Sequence, residues 1–165
     1  VRLAKEVLLE MVDAEGLKVG DEIVLMRWGV VKITKADGGL LEAAHVPDGD
    51  VKKTKLKLSW IADVGPTDNT PTVLTEFDNL VTKDKLEEDD KFEDFVNPHT
   101  LAETEVVGDA MLKTLKEHDV IQLERRGYYR VDRPYVSADK PLVLFMIPDG
   151  KAKPMGGLKG QLKHA

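Results

Sequence analysis

The run Gln122-Leu123-Glu124-Arg125-Arg126-Gly127-Tyr128-Tyr129-Arg130 is where chemistry-bearing side chains are densest. A Gln amide can donate to and accept from a base edge. An Arg fork can bond a base or a phosphate in two places, and it can stack on a ring. Tyr128 and Tyr129 add aromatic faces. Together on a β-hairpin, with Arg126-Gly127 at its tip, these groups are the ingredients for reading splayed single-stranded bases. A buried Tyr flanked by surface charges would account for the same residues without any ligand.

A second group is Lys52, Lys53, Lys55 and Lys57. Across 54–61, Leu56, Leu58 and Trp60 alternate with Lys55, Lys57 and Ser59, which predicts a strand with one core face and one basic face. Lysines in that place can meet phosphates as flexible point charges. They are equally ordinary on the wet face of a strand, where they blunt its edge. A third group is acidic: Asp84, Glu87, Glu88, Asp89, Asp90, Glu93 and Asp94. It lacks the spacing and central Gly of an EF-hand, and a solvated helix start explains it. The four histidines show no metal-ligand spacing, and there is no cysteine to assist them. Neither phosphate-loop glycines nor a Gly-x-Ser-x-Gly nucleophile elbow occurs.

The elements that must position these groups are mostly strands. Apolar residues on both faces of 21–27 predict a strand covered on both sides, at least in part. Residues 29–35 and 39–46 read as a hairpin about Asp37-Gly38, and Asp48-Gly49 marks another turn. Further strands are predicted over 72–77, 119–125, 128–132 and 142–147, the last stopped by Pro148-Asp149-Gly150. Phe92, Phe95 and Val96 suggest a short amphipathic helix, and 111–116 another single turn. Many short strands with regular turn signals predict an all-β fold of barrel or sandwich type. No internal repeat stands out.

Composition sets outer limits. The 165 residues suffice for one domain or two small subdomains, and 42% hydrophobic content is that of a globular chain. The first residue is Val1 rather than Met, as expected of a piece of a longer protein. No apolar run of about 18 residues is present to span a membrane as a helix. The net charge of −6 speaks weakly against nucleic acid, but the charge is segregated. Residues 84–105 are acidic, whereas 52–57, 125–133 and 151–163 are basic. Residues 151–165 read as a flexible basic tail.

Several ordered segments carry a family resemblance. They are Leu25-Met26-Arg27-Trp28-Gly29, then Lys52-Lys53-Thr54-Lys55-Leu56-Lys57-Leu58-Ser59-Trp60, Leu80-Val81-Thr82-Lys83, Phe95-Val96-Asn97-Pro98 and Gly108-Asp109. Ile121 to Tyr129, Val131-Asp132-Arg133-Pro134 and Ile147-Pro148-Asp149-Gly150 follow in the same order. Over about residues 6–150 the chain resembles the C-terminal anticodon-binding domain of eukaryotic cytosolic glutamyl-tRNA synthetases.

The resemblance implies an all-β fold of two adjoining β-barrels. A proximal barrel would take about 1–60 plus 125–150, and a distal one about 61–124. It also implies that Gln122 and Arg125 contact the central anticodon base, as their counterparts do in the related glutaminyl enzymes. Arg126, Lys52, Lys53 and Lys55 would lie against the anticodon loop, with Arg27 as a further contact. The parent enzyme would use ATP and Mg²⁺ to ligate glutamate to tRNA-Glu in the cytoplasm. Its His-Ile-Gly-His-like and Lys-Met-Ser-Lys-Ser-like motifs do not occur here, so this chain is expected to bind without catalysing and to need no cofactor of its own. A monomer is expected, with tRNA-Glu as partner and other synthetase-complex proteins as a further class. A bifunctional glutamyl-prolyl parent is the nearest alternative. A structural or protein-docking role, with the acidic segment as its surface, is another.

Overall fold

Period-two patterning prevails over the helical signals, and strands are the main regular elements. The computed structural model describes residues 3–148. The chain divides into two compact units, one ending at Gly65 and one beginning at Pro66.

In the first unit the elements are β1 (Val7–Leu9), the single-turn helix α1 (Met11–Ala14), β2 (Glu22–Leu25), β3 (Gly29–Asp37), β4 (Leu40–Val46), β5 (Leu56–Leu58) and β6 (Trp60–Ala62). A four-stranded sheet runs β4-β3-β2-β5, and β1 pairs separately with β6. Leu17, Ile23, Leu25, Val31, Ile33 and Leu58 form the core, with Leu9, Leu41 and Trp60 packed against it. The hairpin signal at Asp37-Gly38 is displaced by one residue. The turn is Gly38-Gly39, with φ of 54° and 94°, and this mirror-image geometry suits the twist of the flanking strands. The strand expected over 54–61 breaks at Ser59. Its first half joins β2 in parallel and its second half joins β1 antiparallel.

In the second unit β7 (Thr70–Phe77), β8 (Leu101–Gly108), β9 (Val120–Leu123), β10 (Gly127–Arg133) and β11 (Leu142–Ile147) form one sheet of order β8-β7-β11-β10-β9. Its core is Leu74, Tyr129, Val131, Leu142 and Leu144. The predicted helices are only 3₁₀ turns, Phe92–Phe95 and Ala110–Thr114.

The expected all-β class holds. Strand β10 pairs with β9 and β11, and β11 also lies parallel to β7 with Val143 beside Val73. Among the described residues no ladder joins the outer strands of the four- or the five-stranded sheet. The basic tail at 151–165 lies outside the described residues.

An internal repeat is present after all. Leu17, Lys18, Asp21, Ile23, Leu25, Arg27 and Gly29 recur at identical spacing as Leu115, Lys116, Asp119, Ile121, Leu123, Arg125 and Gly127. The local hydrogen bonds recur with them. The Lys18 N–H donates to Asp21 Oδ2 at 2.8 Å, and the Lys116 N–H donates to Asp119 Oδ2 at 2.8 Å. Ile33 N–H donates to Asp21 O at 2.9 Å and Val131 N–H to Asp119 O at 2.8 Å. Each copy is a turn clamped by an Asp carboxylate followed by a β-hairpin, which is β2–β3 in one unit and β9–β10 in the other.

Candidate nucleic-acid interface

The β9–β10 hairpin holds the densest candidate group. Gln122 faces Tyr128 and Leu123 faces Gly127 across the pair. The chain reverses in a β-turn closed by Arg126 N–H donating to Leu123 O at 3.0 Å. The corner residues are therefore Glu124 and Arg125, not Arg126-Gly127 as the sequence suggested. Arg125 sits at φ 68°, the left-handed region that the third position of such a turn requires. Gly or Asn is the usual solution, and an Arg there costs about 1–2 kcal/mol. Strain of this kind, observed first, is a reason to look for function at the residue.

Alternation then sorts the neighbours. Gln122 and Tyr128 point to the open face, and both are exposed. Tyr129 points to the core and is only 1% exposed. Its hydroxyl donates to Glu76 Oε1 at 3.2 Å. Burial, followed by the negative charge of Glu76 and that hydrogen bond, pushes the Tyr129 phenol up to about 12. Of the two tyrosines, one is structural and one is presented to solvent.

In the first unit, Arg27 occupies the same corner of the β2–β3 turn. Its φ is 64°, and Trp28 N–H donates to Leu25 O at 2.9 Å. Trp28 packs on Trp60 with ring centroids 5.0 Å apart, and Trp60 Nε1 donates to Met26 O at 2.9 Å. Those contacts fix the turn that carries Arg27. Lys52 and Lys53 are not on a strand but on the loop before β5. Asp50 Oδ1 accepts their two backbone N–H groups at 2.9 and 3.1 Å. The loop lies against β3, where a Cβ on Gly49 would overlap the Val30 side chain. Lys53 also makes an exposed ion pair with Asp50 at 3.6 Å, which adds little stability. Lys55 is exposed just before β5, and Lys57 stands in register with Val24 on β2. Within the second unit the structure thus groups Gln122, Arg125 and Arg126 on one hairpin. Within the first it supports Arg27, Lys52, Lys53 and Lys55 on a turn and a loop that border β2, β3 and β5.

The acidic segment lies on the excursion between β7 and β8. Thr82 N–H donates to Phe95 O and Asn97 N–H to Leu80 O, each at 2.9 Å, which zips its base. Lys83 bonds Asp90 and lies 5.1 Å from the centre of the Phe95 ring. The Glu87 N–H and then Lys83 hold the Asp90 carboxyl below its ordinary value. Among the described residues no cluster of His, Asp or Glu is arranged to hold a metal ion, and no helix is long and apolar enough to cross a membrane.

Two features escaped the sequence reading. One is the repeat itself, legible only when Lys-x-x-Asp and Arg-x-Gly are compared between distant segments. The other is β8, whose Glu103 and Glu105 hide its period two behind charge.

A family model described as the anticodon-binding domain of class I tRNA synthetases (E and Q) matches residues 57–132. A cytoplasmic glutamate–tRNA ligase of Arabidopsis thaliana is 50% identical over 154 residues, covering 90% of this chain and 21% of the relative. That of Saccharomyces cerevisiae is 46% identical, covering 94% and 22%. A bifunctional glutamate/proline–tRNA ligase of Drosophila melanogaster is 38% identical, covering 96% and 10%. The chain therefore spans about a fifth or less of the length of these relatives.

Proposed function

Because the chain belongs, through residues 57–132, to the anticodon-binding domain family of class I tRNA synthetases (E and Q), we propose that it binds the anticodon loop of tRNA-Glu on behalf of a cytoplasmic glutamate–tRNA ligase. The observation that carries this reading is the β9–β10 hairpin, with Gln122 exposed and Arg125 held in a strained corner. The Gln122 amide can pair with a base edge. Arg125 and Arg126 can bond a base or the backbone beside it in a forked manner. Lys52, Lys53 and Lys55, with Arg27, supply charge for phosphates. The negative total is no obstacle, because the acids concentrate on the β7–β8 excursion and on β8. ATP and Mg²⁺ belong, in this reading, to the catalytic part of the parent enzyme. Identities of 50% and 46% to two ligases named for glutamate alone, against 38% to a bifunctional one, favour a free-standing parent.

The test is binding of an anticodon stem-loop in matched and central-base-swapped forms. Wild type should prefer the matched loop, with affinity that falls as salt rises, since phosphate contacts release counterions. Arg125→Ala should lose about 1–3 kcal/mol of that preference. Equal binding of both loops by both proteins would remove Arg125 from the anticodon site.

A further inference from the structure

The open face of the second unit's sheet carries more than Gln122. Across the strands, the register aligns Gln122 on β9 with Tyr128 on β10 and Ile147 on β11. The parallel register of β11 and β7, continued from Phe145 beside Thr75, brings Phe77 level with Ile147, and Leu101 on β8 faces Phe77. Tyr128 is 50% exposed, Phe77 56% and Leu101 53%. The next row down places Arg130 between Val120 and Phe145. Arg130 is exposed and makes no ion pair with another described residue. Phe145 meets Phe77 edge to face, with centroids 5.1 Å apart.

The repeat shows what this face would look like if it were only structural. The first-unit counterparts of Gln122 and Tyr128 are Val24 and Val30, and both are buried. The Gly49 loop lies against Val30. In the second unit the same two positions are an amide and a phenol, left in solvent. A row of apolar side chains left partly open on a folded unit marks a surface for a ligand. The charges along it select the ligand. Gln122 and Arg130 flank Tyr128 at the β9–β10 end, near the Arg125 corner, whereas Glu103 and Glu105 line the β8 end. A strand of alternating base and phosphate fits the first end and is repelled from the second.

We propose that Tyr128 and Arg130 form a nucleotide subsite beside Gln122. The Tyr128 ring stacks on the base next to the one that Gln122 reads, and Arg130 bonds the phosphate that links them. Successive outward residues on a strand lie about 7 Å apart, close to the spacing of adjacent phosphates in an extended single strand. The subsite rests on the anticodon reading given above, and it adds two residues to it.

The test uses the chain itself and the matched anticodon stem-loop. Tyr128→Ala and Tyr128→Leu should each weaken binding about tenfold, as loss of one base–aromatic stack does, while Tyr128→Phe binds within about twofold of wild type. Arg130→Ala should weaken matched and swapped loops equally and reduce the salt slope by about one phosphate. Phe77→Ala should leave binding unchanged. Circular dichroism checks folding, and the Leu and Phe variants keep the row apolar should Ala disturb it. Equal affinity of the Leu and Phe variants would overturn the stack. A loss for Phe77→Ala as large as for Tyr128→Ala would make the row a general apolar docking surface and overturn the subsite. If Tyr128 variants bind normally while Arg125→Ala is impaired, the subsite fails and the anticodon reading stands. If Arg125→Ala is also normal, that reading fails with it.

Discussion

The β2–β3 and β9–β10 hairpins are one design used twice. Both begin at an Asp whose carboxylate clamps the preceding Lys N–H, and both reverse through an Arg with positive φ. The core-facing positions also agree in role, with Ile23, Leu25, Val31 and Ile33 answering to Ile121, Leu123, Tyr129 and Val131. They part company on the other face. There the first unit buries Val24 and Val30, the latter against its own Gly49 loop, and the second leaves Gln122 and Tyr128 in solvent. The residue after the corner also differs: Trp28 packs on Trp60 in one, and Arg126 stands in the other. The frame is thus set by what must be buried, and function occupies the positions that the frame leaves uncovered.

Exchanging residues between the copies should break this comparison most strongly. Val24→Gln puts an amide where no water reaches, and an unpaired buried amide costs about 1–3 kcal/mol. The reciprocal Gln122→Val removes an exposed side chain and should change stability by less than about 0.5 kcal/mol. Unfolding of the first unit can be followed separately, because both tryptophans, Trp28 and Trp60, lie within it. Denaturant midpoints read by Trp fluorescence for Val24→Gln, and by exchange of β10 amides for Gln122→Val, would check the asymmetry. Equal losses in the two units would mean that the faces are not covered differently.

Alkali should separate the copies next. Val31 in the first unit answers to Tyr129 in the second, so only one hairpin carries a buried ionisable group. The Tyr129 phenol is raised from 10.0 to about 12. The folded state therefore holds its proton more tightly than the unfolded state does. This stabilisation is complete below pH 10 and is lost as pH rises from 10 through about 12. At about 1.4 kcal/mol per pH unit it amounts to roughly 2–3 kcal/mol in the second unit. Tyr129→Phe should abolish this alkaline loss and cost about 1 kcal/mol at neutral pH, from the hydrogen bond to Glu76. Amide exchange of β10 across that pH window, in wild type and Tyr129→Phe, tests it. An identical alkaline loss in both would assign the effect to other groups.

How much of this was legible beforehand follows from how strongly each residue constrains its surroundings. Period two over 119–125 and 128–132 was enough to place the hairpin, but the turn between them resets the pattern. Which of the adjacent tyrosines was buried could not be read, since Tyr suits either side and the answer depends on Glu76 from a distant strand. The tip suggested at Arg126-Gly127 lies at Glu124-Arg125, because here Arg125 takes the positive φ and Gly127 opens β10. Pairing of β11 with β7 was also hidden, as a parallel ladder leaves no local signal in either strand. That Lys52 and Lys53 stand on an anchored loop was hidden, because its anchor, Gly49 against Val30, is a long-range contact that only a missing side chain announces.

The smallest expected effect tests whether the shared corner is strained for a purpose. Arg27 and Arg125 have φ of 64° and 68°, and a side chain in that region costs about 1–2 kcal/mol relative to glycine. Glycine also adds freedom to the unfolded chain, which offsets part of the gain. Arg27→Gly and Arg125→Gly should each therefore raise stability, by up to about 1 kcal/mol, in the unit that carries them. Both arginines have other interactions within the fold, so the corresponding Ala variants, which lose those contacts but keep the strain, provide the baseline. Relative to Ala, each Gly variant should be more stable, and the increments should match because the backbone is the same. Binding should not follow stability: Arg125→Gly should be as deficient on the matched stem-loop as Arg125→Ala, despite being the sturdier protein. Denaturant midpoints and stem-loop affinities measured on the same variants decide it. A Gly variant no more stable than its Ala partner would mean that the turn holds Arg without strain, and the corner would then lose its value as a marker of the site.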